Sequence, residues 1–267
     1  MLKIGIFGAT GRMGKNLIEA VLNDSRASLH SASARPSSAF MGMDAGTVIG
    51  QAPCAVALTA YQDIDAASAS VFIDFTLPES LADHLAFCVA QQRPMVIGTT
   101  GLSTAQLALL DDAAKTIPIV FAANYSVGVN LLIKLAQQTA AVMGDSADIE
   151  IIETHHRYKV DAPSGTALAL GEGIAQTTGR NLATDAVYGR EGYTGERAHQ
   201  TIGFATVRGG DVVGDHTVLF ADIGERIELT HKASSRMTFA KGAVTAAHWV
   251  VGKPPGLYSM MDVLGLA

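Results

Sequence analysis

The sequence predicts an α/β protein that has a doubly wound parallel sheet and a second α+β domain with a mixed, largely antiparallel sheet. Two observations support this. Up to residue 122, short apolar strands alternate with helical stretches, the order that builds a parallel sheet with helices on both faces. After residue 177, strand-like segments follow one another with few helical residues between them, which favours antiparallel pairing.

The elements of the parallel sheet follow from apolar runs and their end signals. Lys3–Phe7 is a short apolar strand that ends at Gly8, and Arg12–Leu22 carries apolar residues at helical spacing. Residues 35–62 are rich in glycine and are predicted to be loop. The other predicted elements are the strands Ser28–Ala34, Val71–Phe75, Met95–Ile97 and Ile117–Ala122 and the helices Pro78–Gln91 and Ser103–Lys115, the last capped by Ser103.

The second domain begins with a long helix. Helix Ser126–Met143 leaves the parallel sheet, and the strand Asp148–Thr154 and the helix Ser164–Thr177 follow it. Glycine turns at 209–210 and 223–224 separate three more strands and predict an antiparallel meander, made of Thr201–Val207, Val212–Phe220 and Arg226–Thr230. The apolar helix Met237–Val251 is expected to return to the first domain.

Composition limits the possible functions. Of the 267 residues, 48% are hydrophobic and 16% charged, which is typical of a folded globular protein, and the net charge of −6 argues against nucleic-acid binding. Cys54 and Cys88 lie in apolar stretches, and two cysteines cannot form a disulfide framework. The first strand begins at Lys3 and leaves no room for a signal peptide, and no apolar run approaches the length of a membrane helix. We therefore expect a soluble cytoplasmic protein that binds neither membranes nor nucleic acids.

A glycine-rich turn joins the first strand to the first helix, where a dinucleotide-binding turn would lie. Its spacing is G-x-x-G-x-x-G: Gly8 permits a sharp turn, Gly11 lets backbone N–H groups approach a pyrophosphate, and Gly14 permits close packing of the helix on the sheet. Arg12 adds charge at the helix start. The predicted cofactor residues of this turn are Gly8, Ala9, Thr10, Gly11, Arg12 and Met13.

The end of the second predicted strand favours NADPH over NADH. An Asp or Glu at this place accepts from the ribose 2′-hydroxyl of NADH, whereas an arginine binds the 2′-phosphate of NADPH. The chain has Arg35 there and no carboxylate. Two later strand ends carry small and polar residues suited to a nicotinamide-ribose pocket, namely Gly98, Thr99 and Thr100, and Ala122, Ala123, Asn124 and Tyr125.

Residues 155–166 are the strongest signal of a substrate site. His155, His156, Arg157 and Lys159 place four cationic or titratable side chains within five positions of an otherwise acidic chain. Ser164, Gly165 and Thr166 then open a helix, whose first N–H groups can bind a carboxylate. A histidine suits proton transfer near neutral pH, and a lysine can bind a carboxylate and donate a proton. This combination predicts a reductase acting on a small carboxylated metabolite.

The chain resembles the 4-hydroxy-tetrahydrodipicolinate reductase family, also called dihydrodipicolinate reductase, of bacterial lysine and diaminopimelate biosynthesis. The resemblance covers nearly the whole chain and is most specific at Glu153–Thr166. It is also carried by Gly8–Gly14, Phe72–Thr76, Val96–Gly101, Phe121–Gly128 and Ser234–Phe239.

The resemblance implies a Rossmann-type domain of residues 1–126 and 237–267 and a substrate-binding and oligomerisation domain of residues 127–236. It implies a homotetramer and hydride transfer from NADH or NADPH to a cyclic dicarboxylate. By motif, His155 is the acid–base residue and Lys159 the proton donor, and both Lys159 and His156 are expected to contact substrate together with Ser164, Gly165 and Thr166. Ala34 stands where members that use both cofactors often carry Glu, so the resemblance also favours NADPH.

Several alternatives stay open at this point. The chain can instead be another Rossmann-type oxidoreductase that acts on an amino or keto acid, or a non-catalytic dinucleotide sensor. Arg157 can form a structural ion pair with Glu153 rather than contact substrate. No His, Cys or Asp spacing suggests a metal site, so no metal is expected.

Overall fold

The structure is a computed structural model that describes residues 1–267, and the chain divides into two compact units. The first unit comprises residues 1–127 and 236–267, and the second comprises residues 128–235. None of the helices is both long enough and apolar enough to span a lipid bilayer.

A seven-stranded parallel sheet forms the centre of the first unit. Its strands are β1 (Leu2–Phe7), β2 (Ala27–Ser33), β3 (Leu58–Thr59), β4 (Val71–Asp74), β5 (Met95–Ile97), β6 (Pro118–Phe121) and β12 (Gly256–Tyr258). Their spatial order is β12-β6-β5-β4-β1-β2-β3, and every pairing is parallel. The order reverses between β1 and β4, so a crevice is expected at the carboxyl ends of these strands, where such sheets bind ligands.

Helices cover both faces of this sheet. They are α1 (Arg12–Leu22), α2 (Ala45–Val48), α3 (Leu81–Ala90), α4 (Thr104–Ala113), α8 (Met237–Val250) and α9 (Met260–Leu264). One apolar core joins α1 and α8 to β1 through residues such as Ile4 and Ile6. The other joins α3 and α4 to the opposite face through Phe72 and Met95. Apolar side chains therefore point in both directions from the sheet, which explains why its strands are almost continuously hydrophobic.

A five-stranded mixed sheet forms the second unit. Its strands are β7 (Asp148–His155), β8 (Ala186–Val187), β9 (Ile202–Arg208), β10 (Gly214–Ala221) and β11 (Arg226–Ala233), in the order β11-β10-β7-β9-β8. Its helices are α5 (Val127–Met143), α6 (Gly165–Thr178) and α7 (Leu182–Asp185). Residues of α5 and α6 cover one face, where Ile149 and Ile151 of β7 meet Phe204 and Val218.

The predicted antiparallel meander is wrong in one respect. The hairpin of β10 and β11 is antiparallel, but β9 does not pair with β10, because β7 lies between them. The connection from β7 to β9 contains α6, and such a helical crossover returns the chain parallel to the strand it left. The second sheet is therefore split between antiparallel pairs around β10 and parallel pairs around β9.

Four further elements differ from the sequence prediction. Pro78–Ser80 forms a separate 3₁₀ turn before α3, so the helix predicted from Pro78 begins at Leu81. The segment predicted to be loop contains α2 and β3, and β12 extends the sheet beyond β6. These elements have only two to four residues, too few to show a hydrophobic period.

Candidate functional site

The glycine turn of the first unit is shaped by contacts that only glycine permits. Gly8 has φ of +66°, and a Cβ on Gly14 would lie 2.2 Å from the carbonyl oxygen of Gly8. Gly11 is the N-cap of α1 and provides no side chain to cap the first turn. The first N–H groups of α1 therefore have no capping side chain and can bind an anion such as a pyrophosphate.

A cavity of about 130 Å³ adjoins this turn. Arg35 lines it together with Gly8 and Ser33, at the carboxyl ends of β1 and β2. The Arg35 side chain is exposed and forms no ion pair, while Ala34 is buried. The remaining lining residues are Ala34, Pro36, Tyr61, Gln62, Ser80, Asp83 and His84.

The sequence did not predict the residues that line this cavity after Pro36, namely Tyr61, Gln62, Ser80, Asp83 and His84. Tyr61 and Gln62 belong to a short 3₁₀ turn that follows β3, inside the segment predicted to be loop. The only signal for β3 is the pair Leu58–Thr59, which is too short to recognise as a strand. His84 lies on the buried face of α3 beside Leu81 and Leu85, and this apolar setting gave no indication of a cavity.

A buried polar network lies at the end of β4. Asp74 is fully buried, and its Oδ2 atom lies 2.7 Å from His84 Nδ1. Its Oδ1 atom accepts hydrogen bonds from the backbone N–H and the hydroxyl of Thr76 at 2.9 and 2.6 Å. The His84 ring stacks on Phe7 at 4.1 Å. These contacts fix the floor of the cavity beside the glycine turn.

The other two predicted cofactor loops also lie at carboxyl strand ends, but two of their side chains are buried. Thr99 is 2% exposed, and the Tyr125 hydroxyl donates to the carbonyl oxygens of Ile97 and Val120, at 2.8 and 2.9 Å. Burial raises the pKa of Tyr125 well above its ordinary value. Any contact of Tyr125 with a cofactor must therefore come from its backbone. Thr100 and Ala123 are exposed, and Gly98, Ala122 and Asn124 are partly exposed.

In the second unit, His155 lies at the end of β7 beside a buried carboxylate. Its Nδ1 atom is 2.5 Å from Glu153 Oε2, and both side chains point to the covered face of the sheet. Arg208 of β9 donates to both Glu153 oxygens, at 2.7 and 2.8 Å. The Ser164 backbone N–H donates to Glu153 Oε1 at 3.0 Å. Glu153 thus accepts four hydrogen bonds and is 1% exposed.

These contacts determine the charges of the pair. Burial by itself would raise the pKa of Glu153, but hydrogen bonds from Arg208, His155 and Ser164 outweigh it and lower that pKa to about 2. Burial lowers the pKa of His155, and the Glu153 carboxylate opposes this only in part. Glu153 is consequently ionised at neutral pH and has no proton to donate, so His155 must donate from Nδ1.

Ser164 is buried and caps a helix. It is the N-cap of α6, and its Oγ atom accepts from Ala167 N–H at 3.2 Å. The same Oγ lies 2.9 Å from His216 Nε2, and Ser164 is 2% exposed. Gly165 is exposed and Thr166 partly exposed at the start of the same helix. Of the three predicted residues at this helix start, Ser164 is therefore the least accessible to a substrate.

Lys159 and His156 lie in the loop that follows β7. The Lys159 ammonium contacts both carboxylate oxygens of Asp161 at 2.8 Å. His156 is partly buried, and its Nδ1 atom is buried without a hydrogen-bond partner. A buried nitrogen without a partner can form a hydrogen bond with an oxygen atom of a bound ligand.

The proposed ion pair between Arg157 and Glu153 is wrong. Arg157 is exposed and forms no ion pair, and Arg208 occupies the place beside Glu153. The reason is the strand register, in which His155 lies opposite Arg208 of β9 and Glu153 lies opposite His216 of β10. Side chains alternate along β7, so Glu153 points inward like Ile151 and His155. A carboxylate at a buried position needs a cationic or N–H partner, and this is the signal that could have predicted one.

Comparisons with known proteins identify the family of both units. Residues 2–125 match the family model for dihydrodipicolinate reductase, N-terminus, and residues 128–264 match the model for dihydrodipicolinate reductase, C-terminus. The chain is 62% identical over 267 residues to the 4-hydroxy-tetrahydrodipicolinate reductase of Pseudoalteromonas atlantica, and 61% identical over 267 residues to that of Pseudomonas fluorescens. Both alignments cover 100% of each chain.

The fold is also found in a solved structure. A dipicolinate-bound dihydrodipicolinate reductase from Paenisporosarcina sp. TG-14 superimposes with a TM-score of 0.77, at 24% sequence identity and with 98% of each chain covered. The two family models together match residues 2–125 and 128–264, and two relatives are about 60% identical over their whole length. The chain belongs to the dihydrodipicolinate reductase family.

Proposed function

We propose that the chain catalyses the NAD(P)H-dependent reduction of 4-hydroxy-tetrahydrodipicolinate to tetrahydrodipicolinate in lysine and diaminopimelate biosynthesis, with His155 and Lys159 as the catalytic residues. The family is one of oxidoreductases with this activity. The observation that carries the residue assignment is the buried Glu153–His155 pair next to the cationic loop of residues 156–159.

The first unit has the features that a dinucleotide requires. The glycine turn leaves the start of α1 without a capping side chain, and a Cβ at Gly14 would collide with the turn. When bound, the reduced nicotinamide supplies a hydride. We assign the pyrophosphate to the turn formed by Gly8, Ala9, Thr10, Gly11, Arg12 and Met13, and the nicotinamide ribose to the loops Gly98–Thr100 and Ala122–Tyr125.

The reaction also needs an acid. Replacing a ring hydroxyl by hydrogen consumes one hydride and one proton and releases one water molecule. His155 can hold that proton on Nε2, since Nδ1 is bound to Glu153. A Cβ on Gly214 would lie 2.9 Å from His155 Nε2, so glycine keeps the space beside this nitrogen open. We therefore assign His155 Nε2 as the acid–base atom.

The two carboxylates of the substrate require cations and N–H donors. Lys159 is already paired with Asp161, a carboxylate that a substrate carboxylate can replace. His156 offers its unpartnered Nδ1 atom, and Gly165 and Thr166 lie at the N-terminal end of α6, where the helix dipole favours negative charge. We assign Lys159 both to substrate binding and to proton donation, as the family resemblance implies.

Three finer assignments are part of the proposal. NADPH is preferred over NADH, because the unpaired Arg35 guanidinium lines a cavity beside the glycine turn and the neighbouring Ala34 carries no carboxylate. The protein forms a homotetramer through the open face of the second sheet. It works in the cytoplasm, where its two free cysteines stay reduced.

The test is an assay of NADPH oxidation in which the cyclic substrate is generated enzymatically. We expect loss of nicotinamide absorbance only when protein and substrate are both present. Purified protein that binds NADPH but leaves it unoxidised in the presence of substrate would contradict the proposed activity.

A further inference from the structure

We propose that Glu153 is a positioning residue for the reduction: its carboxylate, fixed by Arg208 and the Ser164 N–H, holds His155 as the Nδ1–H tautomer and presents Nε2 to the substrate. This inference rests on the proposed function, because it assigns a partner to the acid–base residue. It goes further by naming the group that sets the orientation and proton affinity of the imidazole.

The geometry fixes each oxygen of Glu153. Oε1 accepts from Ser164 N–H at 3.0 Å and from Arg208 at 2.8 Å, while Oε2 accepts from Arg208 at 2.7 Å and faces His155 at 2.5 Å. Backbone N–H and guanidinium groups can only donate. All four positions around the carboxylate are thus filled by donors, and His155 must contribute the fourth through Nδ1–H.

The pair is held rigidly because its hydrogen bonds come from two strands and a helix start. Glu153 and His155 share β7, Arg208 comes from β9, and Ser164 caps α6. Arg208 is held in turn by hydrogen bonds to the carbonyl oxygens of Val207 and Asp161, at 2.8 and 2.7 Å. A histidine fixed by a buried carboxylate loses the freedom to flip its ring, and its imidazolium form is stabilised.

Charges on every neighbouring element act on His155. Glu153 on the same strand favours the protonated ring, while Lys159 in the following loop and Arg208 on β9 disfavour it. His216 on β10 meets the His155 ring edge-on at 5.0 Å, and burial keeps the pKa of His216 at about 4, so it is neutral at working pH. Asp161 is paired with Lys159. Glu153 is therefore the only carboxylate in contact with the imidazole.

The test variant is Glu153→Gln. Arg208 donates to both positions, so the new NH₂ group faces one of its N–H groups in either orientation. Ser164 N–H can only donate, whereas the His155 ring can change its tautomer, so the amide oxygen faces Ser164 and the NH₂ group faces His155. Nδ1 then becomes an acceptor, and the neutral ring carries its proton on Nε2. We expect turnover to fall at least about tenfold. We also expect the alkaline limb of the turnover–pH profile to move to lower pH by about one unit or more, because an opposite charge has been removed from the imidazolium.

The matched control is Glu150→Gln. Glu150 lies on the same strand and is also held by arginines, Arg190 and Arg197, but it projects from the opposite face. The substitution Glu150→Gln should leave the turnover–pH profile unchanged. The double variant Glu153→Gln/His155→Gln should be no slower than His155→Gln alone, since Glu153 acts only through His155.

A folded Glu153→Gln variant, with wild-type NADPH affinity and an unmoved pH profile, would overturn the inference. If that variant does not fold, Arg208→Gln tests the same arrangement: removing a cation that disfavours the imidazolium should move the alkaline limb to higher pH, and no movement would overturn the inference. A wild-type protein without any substrate-dependent oxidation would instead refute the proposed function itself.

Discussion

The Nε2 atom of His216 lies 2.9 Å from the Oγ atom of Ser164, which joins β10 to the N-cap of α6. His216 is 3% exposed, and its Nδ1 atom is buried without a hydrogen-bond partner. Burial, followed by the neighbouring His155, lowers the pKa of His216 to about 4. The folded protein therefore requires this histidine in its neutral form.

The first prediction concerns acid stability. The folded pKa of His216 is about 4 and its ordinary value is 6.5, so the unfolded chain binds the proton first as the pH falls. Stability is complete above pH 6.5 and is lost as the pH falls from 6.5 towards 4. A shift of this size corresponds to about 3 kcal/mol at most, or roughly 6–12 °C in the melting temperature.

His216→Gln should remove most of this dependence, because glutamine does not titrate but can still bond to Ser164. Thermal melts between pH 7.5 and 4.5 should be flatter for the variant than for the wild type. His199→Gln, which replaces an exposed histidine of the same unit, is the control and should keep the wild-type slope. Parallel curves for wild type and His216→Gln would show that His216 titrates normally in the folded state.

The second prediction concerns His155. His155→Gln should lower turnover by roughly 10²–10⁴, because a positioned acid is lost. Cofactor affinity should change little, since the glycine turn belongs to the other unit. Steady-state kinetics and calorimetric titration of NADPH measure both quantities. Near wild-type turnover in this variant would make His155 a structural residue.

The third prediction concerns cofactor preference. A charge-assisted contact between Arg35 and the 2′-phosphate of NADPH is worth about 1.5–3 kcal/mol, roughly ten- to a hundredfold in affinity. We expect NADPH to bind more tightly than NADH, Arg35→Ala to remove most of the difference, and Ala34→Glu to restore some NADH binding. Arg26→Ala, a change at an exposed arginine of the same unit, is the control. Equal or tighter binding of NADH by the wild type would contradict the assignment of Arg35.

The fourth prediction concerns assembly. Helices α5 and α6 cover one face of the second sheet, while Ile152 and Val207 on the other face are 37% and 47% exposed. An uncovered sheet face with exposed aliphatic residues is typical of a subunit interface. Light scattering should give four times the chain mass of 27.8 kDa, and Ile152→Lys should give smaller species. A wild-type monomer at micromolar concentration would refute the tetramer.

Sequence patterns predicted much of the parallel domain because its elements are long or sharply bounded. Helix Arg12–Leu22 and strand Met95–Ile97 have the predicted bounds, and the Ser103 cap is present with a full capping box. The failures have two causes, which are long-range pairing and very short elements. The position of β7 between β9 and β10 depends on a crossover that no local pattern encodes, and β3 has only two residues.

The candidate sites divide in the same way. The glycine turn and residues 155–166 are contiguous, so their spacing could be read directly from the chain. Arg208 is 55 positions from Glu153, and His216 lies still further along the chain, so only strand register brings them together. Three residues that line the Arg35 cavity come from separate parts of the chain: Tyr61 and Gln62 precede β4, and His84 follows it on α3.

The most direct test of the account is the fate of the hydride. Wild-type protein would be supplied with enzymatically generated 4-hydroxy-tetrahydrodipicolinate and with NADPH carrying deuterium at the transferable position, and the product would be examined by mass spectrometry. We predict one deuterium atom in each molecule of tetrahydrodipicolinate, with a matching loss of reduced nicotinamide. Oxidation of NADPH without deuterium in the product, or no oxidation at all, would contradict the account.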